Sequence, residues 1–473
     1  MNPPTLQPTS ENPRPKSVPL RERIAIGLGE GAAIASAGSL NTLVFPVYNV
    51  MLGVSPSLVS LVVFIQRLFD AVTDPLIGQW SDKTRTRWGR RKPYLLGSLP
   101  FLFLFGVGVW WFPAGLSEMG YFWWLLIVSL LFFLAHSFYN VPIWALRMEA
   151  TNDYNERTRV VAVVQLIAYA ASIGLQWLFP IIQSRLFSTP LDGLRITTLG
   201  WGIFFTAIGV LPLLWVRERR VASTGSAKAA PAFVDGMRLL LKNKPFVTLV
   251  VMRIVWSFCY LLVAIFNIYM NIYLVYGGDV KAAAVMQGWG GTAYQVAVLL
   301  SVFLFGRLAI RLGKRQAMMI CAVVLCVGCG LKLVVYQPSL PWLQLVVPFL
   351  NGISLGGLML VGNSMVADIA AYDEYMTGHK REALFAGLLA WCDKLGNSLG
   401  TLLSGFILAW IGFDAKAPGG VQSEMTLSLM RWLYAGIPAL GAVAAMICIA
   451  RYSLSEELST KIRIELERRE SAT

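Results

Sequence analysis

The chain has 473 residues, of which 56% are hydrophobic and 14% are charged, and its mean hydropathy is +0.60. Because a soluble domain carries about a quarter charged residues, this composition excludes a soluble globular protein. The net charge of +14 does not predict a nucleic-acid partner. The basic residues cluster in short loops between apolar runs, as they do in the cytoplasmic loops of membrane proteins.

Residues 1–20 are rich in Pro, Ser and Asn, a composition that predicts a disordered tail. Apolar runs of about 20 residues, the length that crosses a bilayer as a helix, then recur along the chain. Arg21 and Arg23 precede the first run, so we expect the N-terminus, and with an even number of spans the C-terminus, in the cytoplasm. The predicted spans are 24–50, 57–80, 93–115, 120–148, 159–183, 196–216, 245–277, 284–312, 316–336, 341–371, 383–412 and 427–451.

The longest polar stretch falls midway and predicts a cytoplasmic linker, 217–244, between two six-helix bundles, 21–216 and 245–452. A cytoplasmic tail, 453–473, follows. Charged residues after the second and fourth spans are echoed after the eighth and tenth. Such repeats are typical of transporters in which one half rocks against the other around a site at the membrane midplane. The predicted fold class is therefore an all-α polytopic membrane protein of twelve transmembrane helices in two halves.

The second span contains Arg67, Asp70 and Asp74 at positions i, i+3 and i+7, so a helix places them on one face. Charged groups at membrane depth are costly unless they are paired or functional. Two carboxylates one turn apart repel each other, and a bound Na⁺ or proton relieves that repulsion. We interpret Asp70 and Asp74 as a cation site, and as the metal ligands if the ion is Na⁺, with the hydroxyl of Thr73 as a further oxygen donor. The alternative is a network that only holds helices together.

Four other polar residues in apolar spans are candidates for the site, and one of them, Asn267, is a candidate amide of the substrate pocket. Lys394 is expected to compete with the cation and to link cation occupancy to conformation. The alternative is a local ion pair with Asp393. Adjacent residues of a helix form such a pair poorly, because their side chains point about 100° apart. Arg67 is expected to hold the two aspartates in register or to have a purely structural role. Asn41 is a candidate amide of the substrate pocket.

The basic loop 83–92 has two interpretations. It could latch the two halves by pairing with Asp82 and with the acidic residues at 149–156 or 368–374, and the candidate latch residues are Asp82, Arg91, Asp368 and Arg381. Alternatively, it is a topology signal attracted to anionic lipid, which makes membrane lipid an expected partner.

Two long motifs stand in order along the chain. The first reads Asp70-x-x-x-Asp74-Pro75-x-x-Gly78-x-x-x-Asp82 and continues to Trp88-Gly89-Arg90-Arg91-Lys92-Pro93. The second reads Ala367-Asp368, then Tyr372-Asp373-Glu374, then Thr377-Gly378-His379-Lys380-Arg381-Glu382. Together they resemble the glycoside–pentoside–hexuronide:cation symporters of the major facilitator superfamily, whose best-known member is the melibiose permease. The resemblance implies the major facilitator fold.

The resemblance also implies roles for single residues. It assigns the coupling cation to Asp70 and Asp74, an influence on cation choice to Thr73, and a hydroxyl ligand to Ser137. It places Lys394 near the cation and Trp144 beside the sugar pocket. The nearest counterparts of the family's charged sugar ligands are Ile34, Asn140 and Gln165, and Glu30 could substitute for the first acid only by a shift of one helical turn. Amides still bind hydroxyls, so these are candidate substrate ligands.

The sequence thus predicts a cation-coupled symporter, driven by Na⁺ or H⁺, for a small hydroxylated solute such as a sugar or glycoside, working by alternating access. A symporter of a lysolipid or other amphiphile is the alternative, because vertebrate lysolipid carriers resemble the same family. With two histidines and no nucleophile–base or metal cluster, an embedded enzyme is disfavoured, as is a non-transporting sensor. We expect a monomer without a cofactor, in the inner membrane of a bacterium.

Overall fold

The computed structural model describes residues 17–151, 153–218, 243–379, 381–414, 422–454 and 456–472. In these ranges the chain is helical, and extended pairing is limited to an isolated bridge between Thr86 and Gly89. The all-α prediction is confirmed. Most of the predicted tail 1–20 and most of the predicted linker 217–244 lie outside the described residues, so the division into bundles at these boundaries stays a prediction.

Within those ranges, twelve long helices coincide with the twelve predicted spans, and a thirteenth forms the C-terminal tail. They are α1 Leu20–Val44, α2 Pro56–Lys83, α3 Lys92–Gly108, α4 Glu118–Glu149, α5 Tyr154–Gln176, α6 Pro190–Gly209, α7 Lys244–Leu261, α8 Val280–Leu312, α9 Lys314–Val335, α10 Val346–Thr377, α11 Glu382–Trp410, α12 Glu424–Ala450 and α13 Glu456–Ala472. Short segments extend some of them, namely Phe45–Met51 after α1, Leu178–Ile182 after α5, Leu211–Trp215 after α6, Phe266–Tyr269 and Met270–Val275 after α7, and Pro341–Leu345 before α10.

Nine helices of the described part are long and apolar enough to cross a membrane. They are α2 and α4–α10, several of them with their short extensions, and α12. The helix α3 is apolar but shorter, whereas α1 and α11 contain more polar and small residues. For these three helices, crossing of the membrane stays a prediction.

Helix starts follow local chemistry, because polar side chains accept hydrogen bonds from backbone N–H groups that the first turn leaves unpaired. Ser117 caps α4 through the N–H of Gly120, and Asp279 caps α8 through the N–H groups of Lys281 and Ala282. These caps lie in the loops, so the polar groups that begin each helix stay outside the apolar spans.

The helices α1–α6 form the N-terminal half and α7–α12 the C-terminal half. Across the halves, α2 packs along α11 and α5 along α8. Within the C-terminal half, Gly352, Gly356 and Gly357 let α10 approach α8 so closely that a methyl group on any of them would overlap its neighbour. Small residues are the usual means by which membrane helices approach each other.

The two halves meet at one end of the bundle. We call this the outer end, because its loops 52–55, 109–117 and 336–340 contain no charged residue; the opposite end, with the basic loop 84–91, is the basic end. At the outer end Tyr269 Oη donates to Asn49 Oδ1 at 2.7 Å, and Trp177 Nε1 donates to Thr292 Oγ1 at 3.1 Å. Both bonds join one half to the other, so the outer end is closed.

Candidate functional site

The predicted cation ligands converge at the contact between α2 and α4. Ser137 Oγ donates to Asp70 Oδ1 at 3.1 Å and lies 3.4 Å from Thr73 Oγ1. The side chains of Asp70 and Asp74 are 14% and 22% exposed. Asp74 Oδ1 is buried and has no hydrogen-bond partner among the described residues. The orphaned oxygen of Asp74, together with the carboxylate of Asp70 and its hydroxyl partner Ser137, is a donor set that suits a small hard cation or a proton.

Lys394 reaches this cluster from the other half. Its Nζ lies 3.2 Å from Asp74 Oδ2 and 3.9 Å from Asp70 Oδ2. The neighbouring Asp393 pairs instead with Arg253, whose Nη2 is 2.5 Å from Asp393 Oδ2. This ion pair compensates the charge of Arg253, which lies in the seventh apolar span. It also shows that Asp393 and Lys394 point in different directions, so a local pair between them does not form here.

Arg67 does not contact the two aspartates in the way we expected. Its Nη2 donates to Asn41 Oδ1 at 3.2 Å, and in the described part of the chain no carboxylate oxygen lies within 4.0 Å of its guanidinium. Among the described residues, Lys394 of the other half is the cation that contacts both carboxylates. Arg67 bonds to the neighbouring amide and does not hold the two aspartates together.

A cavity of about 580 Å³ lies between the two halves. A smaller one of about 390 Å³, which Arg67 and Lys394 line, adjoins it through the shared residues Asn41, Leu261 and Ala264. The large cavity is lined by amides and tyrosines, the groups that exchange hydrogen bonds with hydroxyls and stack on sugar rings. The amides are Asn41, Gln176, Asn267, Asn271, Gln287, Gln295, Gln344 and Asn351, and the tyrosines are Tyr260, Tyr294, Tyr336 and Tyr434.

Of the predicted substrate ligands, Asn41 and Asn267 line this cavity. Glu30 is buried and pairs with Arg147, whose Nη1 lies 2.9 Å from Glu30 Oε2. The guanidinium of Arg147 also stacks over the ring of Trp144 at 5.1 Å, and Trp144 is 52% exposed. Asn140 is half-buried and Gln165 is exposed. The other cavity amides, on α5, α8, α10 and the short segments Met270–Val275 and Pro341–Leu345, were missed. Their only sequence signal is that each is an amide in or beside an apolar run.

The candidate latch residues pair within their own halves. Arg91 donates to Asp82 and, at 2.9 Å, to Glu149, all in the N-terminal half. Burial lowers the pKa of Arg91, but its bonds and charge interactions with Glu149 and Asp82 raise it more, so the net pKa lies above its ordinary value. The predicted pairing of Arg91 is therefore present, but it does not join the halves in this conformation.

The corresponding cluster of the C-terminal half is built from Asp368. Its carboxylate lies 2.5 Å from Lys314 Nζ and 2.5 Å from Arg463 Nη2 of the tail helix α13. Arg381 Nη1 is 3.6 Å from Asp373 Oδ2. With the halves joined at the outer end and each charge cluster closed on its own half, the basic end is the end at which the halves can separate.

The fold and the site define a membrane transporter of the major facilitator type. The family model described as MFS/sugar transport protein matches residues 25–456, and the chain belongs to this family. It is a transporter and not an enzyme. The solved D-xylose-proton symporter shares the fold, with a TM-score of 0.63 and 16% identity over 90% of this chain and 95% of that one.

Named relatives cover nearly the whole chain. An uncharacterized symporter of Synechocystis sp. is 25% identical over 95% of this chain and 96% of its own. The glucuronide carrier protein homolog of Escherichia coli is 25% identical over 89% and 90%, and the isoprimeverose transporter of Lactiplantibacillus pentosus 23% over 96% and 92%. The sodium-dependent lysophosphatidylcholine symporter 1 of Xenopus tropicalis is 22% identical over 85% and 81%.

Proposed function

We propose that the protein is a cation-coupled symporter of a small hydroxylated solute, a sugar or glycoside. The observation that carries this proposal is the adjacency of two sites. Lys394, which contacts Asp70 and Asp74, lines the smaller cavity, and this cavity shares Asn41, Leu261 and Ala264 with the amide-lined one. The names of the sugar-transporting relatives support the substrate class.

Lys394 gives the coupling a physical form. Its ammonium extends from α11 of one half to the carboxylates on α2 of the other, so a cation that binds between the carboxylates has to displace it. Displacement removes an attraction between the halves and changes the balance between conformations. By linkage, a solute that prefers the resulting conformation binds more tightly when the cation is bound, and the cation gains by the same factor.

The lysolipid alternative has one observation in its favour, the relative named as a lysophosphatidylcholine symporter. The large cavity disfavours a lysolipid, because its walls present eight amides. An acyl chain would bury these amides without hydrogen bonds. We further propose that the protein is a monomer in a bacterial inner membrane, has both termini in the cytoplasm and needs no resident cofactor.

The test is the variant Asp74→Asn, reconstituted in proteoliposomes with an imposed Na⁺ or H⁺ gradient. We expect gradient-driven accumulation to be lost, because an amide can neither attract a cation nor take up a proton, whereas solute binding persists. Asp279→Asn is the matched control, because asparagine caps a helix as well as aspartate does. Wild-type accumulation by Asp74→Asn would refute the assignment of the cation site.

A further inference from the structure

Among the described residues that line the large cavity, Lys332 is the one that carries a charge. Lys332, on α9, is 2% exposed and belongs to the cavity wall. Its Nζ donates to the carbonyl oxygen of Tyr434 at 2.9 Å and lies 3.7 Å from the centroid of the Tyr434 ring. None of the described residues that line the cavity is acidic, and in the described part of the chain no carboxylate pairs with Lys332.

These contacts leave the charge of Lys332 incompletely compensated. An ammonium has three donors, and one carbonyl and one aromatic face occupy only part of this capacity. A buried charge without an opposite charge is costly. Lys332 differs in this respect from Arg253 and Arg147, two buried arginines of the apolar spans, which each have a carboxylate partner within 3 Å.

The surrounding wall contains further unsatisfied polar groups. Gln344 is 3% exposed, and neither its Nε2 nor its Oε1 has a hydrogen-bond partner in the described part of the chain. Asn271 is also 3% exposed, and its Oδ1 has no partner there. Buried polar groups are rarely left in this state, so the cavity holds donors and acceptors for a polar ligand.

We propose that Lys332 is an anion-recognition subsite and that the transported solute bears a carboxylate, as an acidic sugar or its glycoside does. This inference rests on the proposed function and adds the charge of the solute. The carboxylate of the solute accepts hydrogen bonds from the free N–H groups of Lys332, and the hydroxyls of the solute exchange hydrogen bonds with Gln344 and Asn271. A cavity of about 580 Å³ has the size of common small-molecule sites. A neutral analogue leaves the ammonium without an opposite charge and therefore binds more weakly than the acid.

The test compares matched methyl glycosides that differ only at C6, glucoside against glucuronide and galactoside against galacturonide, by titration calorimetry on the purified full chain with Na⁺ present and absent. We expect wild type to bind an acid at least about tenfold more tightly than its neutral counterpart, the scale of a hydrogen bond to a charged group. Lys332→Gln should lose that preference and keep the affinity for the neutral glycoside. Lys281→Gln, at an exposed lysine, is the control and should match wild type.

Two outcomes would overturn the proposal while the proposed function stands. Wild type could bind neutral glycosides as tightly as acidic ones, or Lys332→Gln could weaken both equally, which is what a purely structural lysine gives. The wild-type comparison decides even where Lys332→Gln does not fold, and Lys332→Arg should retain the preference for acids. Failure of wild type to bind either acidic glycoside would likewise contradict this proposal, whereas the proposed function is decided by the accumulation test on Asp74→Asn.

Discussion

The buried ion pair of Glu30 and Arg147 indicates a structural role for Glu30, whereas the family resemblance implies that Glu30 contacts the substrate. Both side chains are less than 10% exposed, and the carboxylate faces a guanidinium rather than the cavity. The pair therefore serves first to join α1 to α4. A substrate ligand in the same place would need to leave its partner to reach a sugar.

We predict that Glu30→Gln lowers the free energy of unfolding by about 3–5 kcal/mol, because it leaves Arg147 as an uncompensated buried charge. Thermal unfolding of the purified protein measures the loss. The double variant with Arg147→Gln should recover most of it, because no isolated charge then remains. A Glu30→Gln protein with wild-type thermal stability and weakened solute binding would instead return Glu30 to the substrate site.

The cluster of Asp70, Thr73 and Asp74 was predictable from the sequence and most of the cavity was not, for a physical reason. Asp70, Thr73 and Asp74 lie within a turn or so of one another on one helix, and carboxylates in an apolar run are conspicuous. The amides of the cavity come from several helices. A single amide in a membrane helix costs little free energy, so its presence in an apolar run does not by itself indicate a binding site. Only tertiary packing brings Gln287 of α8 within hydrogen-bonding distance of Asn271.

The close approach of α2 and α11 at the outer end depends on Gly405. A methyl group there would overlap the side chain of Ser60 and the carbonyl of Pro56, both on α2. Ser57 Oγ also donates to the carbonyl of Gly405 at 3.4 Å. The contact holds the outer end closed only while position 405 has no side chain.

We predict that Gly405→Ala separates the outer ends of α2 and α11 and shifts the population toward an outward-open state. The measurement is labelling of a cysteine at Gln287 by a membrane-impermeant thiol reagent, in a variant whose native cysteines are replaced by serine. Labelling from the outer side should become severalfold faster. Gly387→Ala on the same helix has open space around the new methyl group and is the control; equal rates in the two variants would contradict the prediction.

The helices were predictable because run length and hydropathy determine them, whereas contacts between distant segments were not. Glu218, just after the sixth helix, accepts hydrogen bonds from the backbone N–H groups of Arg90, Arg91 and Lys92 at 2.6–2.8 Å. It thereby compensates the unpaired donors and positive dipole end of α3. Nothing in the spacing of the two segments indicates this contact, which exists only because the halves fold as bundles.

On the scale of the whole molecule, the structure is asymmetric. Hydrogen bonds between the halves gather at the outer end, and near the middle Lys394 bonds to Asp74. The sequence predicted the two halves and a midplane site, because internal repeats are visible in it. It could not predict which end is closed, because conformational state depends on small differences between contacts at the two ends.

The ion pair of Lys394 has a consequence for the transport cycle. A symporter has to return without cargo before it can load again, and its return is hindered if two bare carboxylates face each other at the midplane. The ammonium of Lys394, 3.2 Å from Asp74, supplies an internal counter-charge while the empty protein returns. Loaded protein, which carries a cation of its own, does not need it.

Lys394→Met should therefore separate two activities that are measured in the same proteoliposomes. Exchange of labelled for unlabelled solute involves only loaded protein and should persist, whereas net uptake requires the empty return and should fall at least about tenfold, the effect of ~1.4 kcal/mol on the barrier. Equal loss of both would contradict this account. Without its lysine, such a protein would swap solute for solute across the membrane and accumulate almost none.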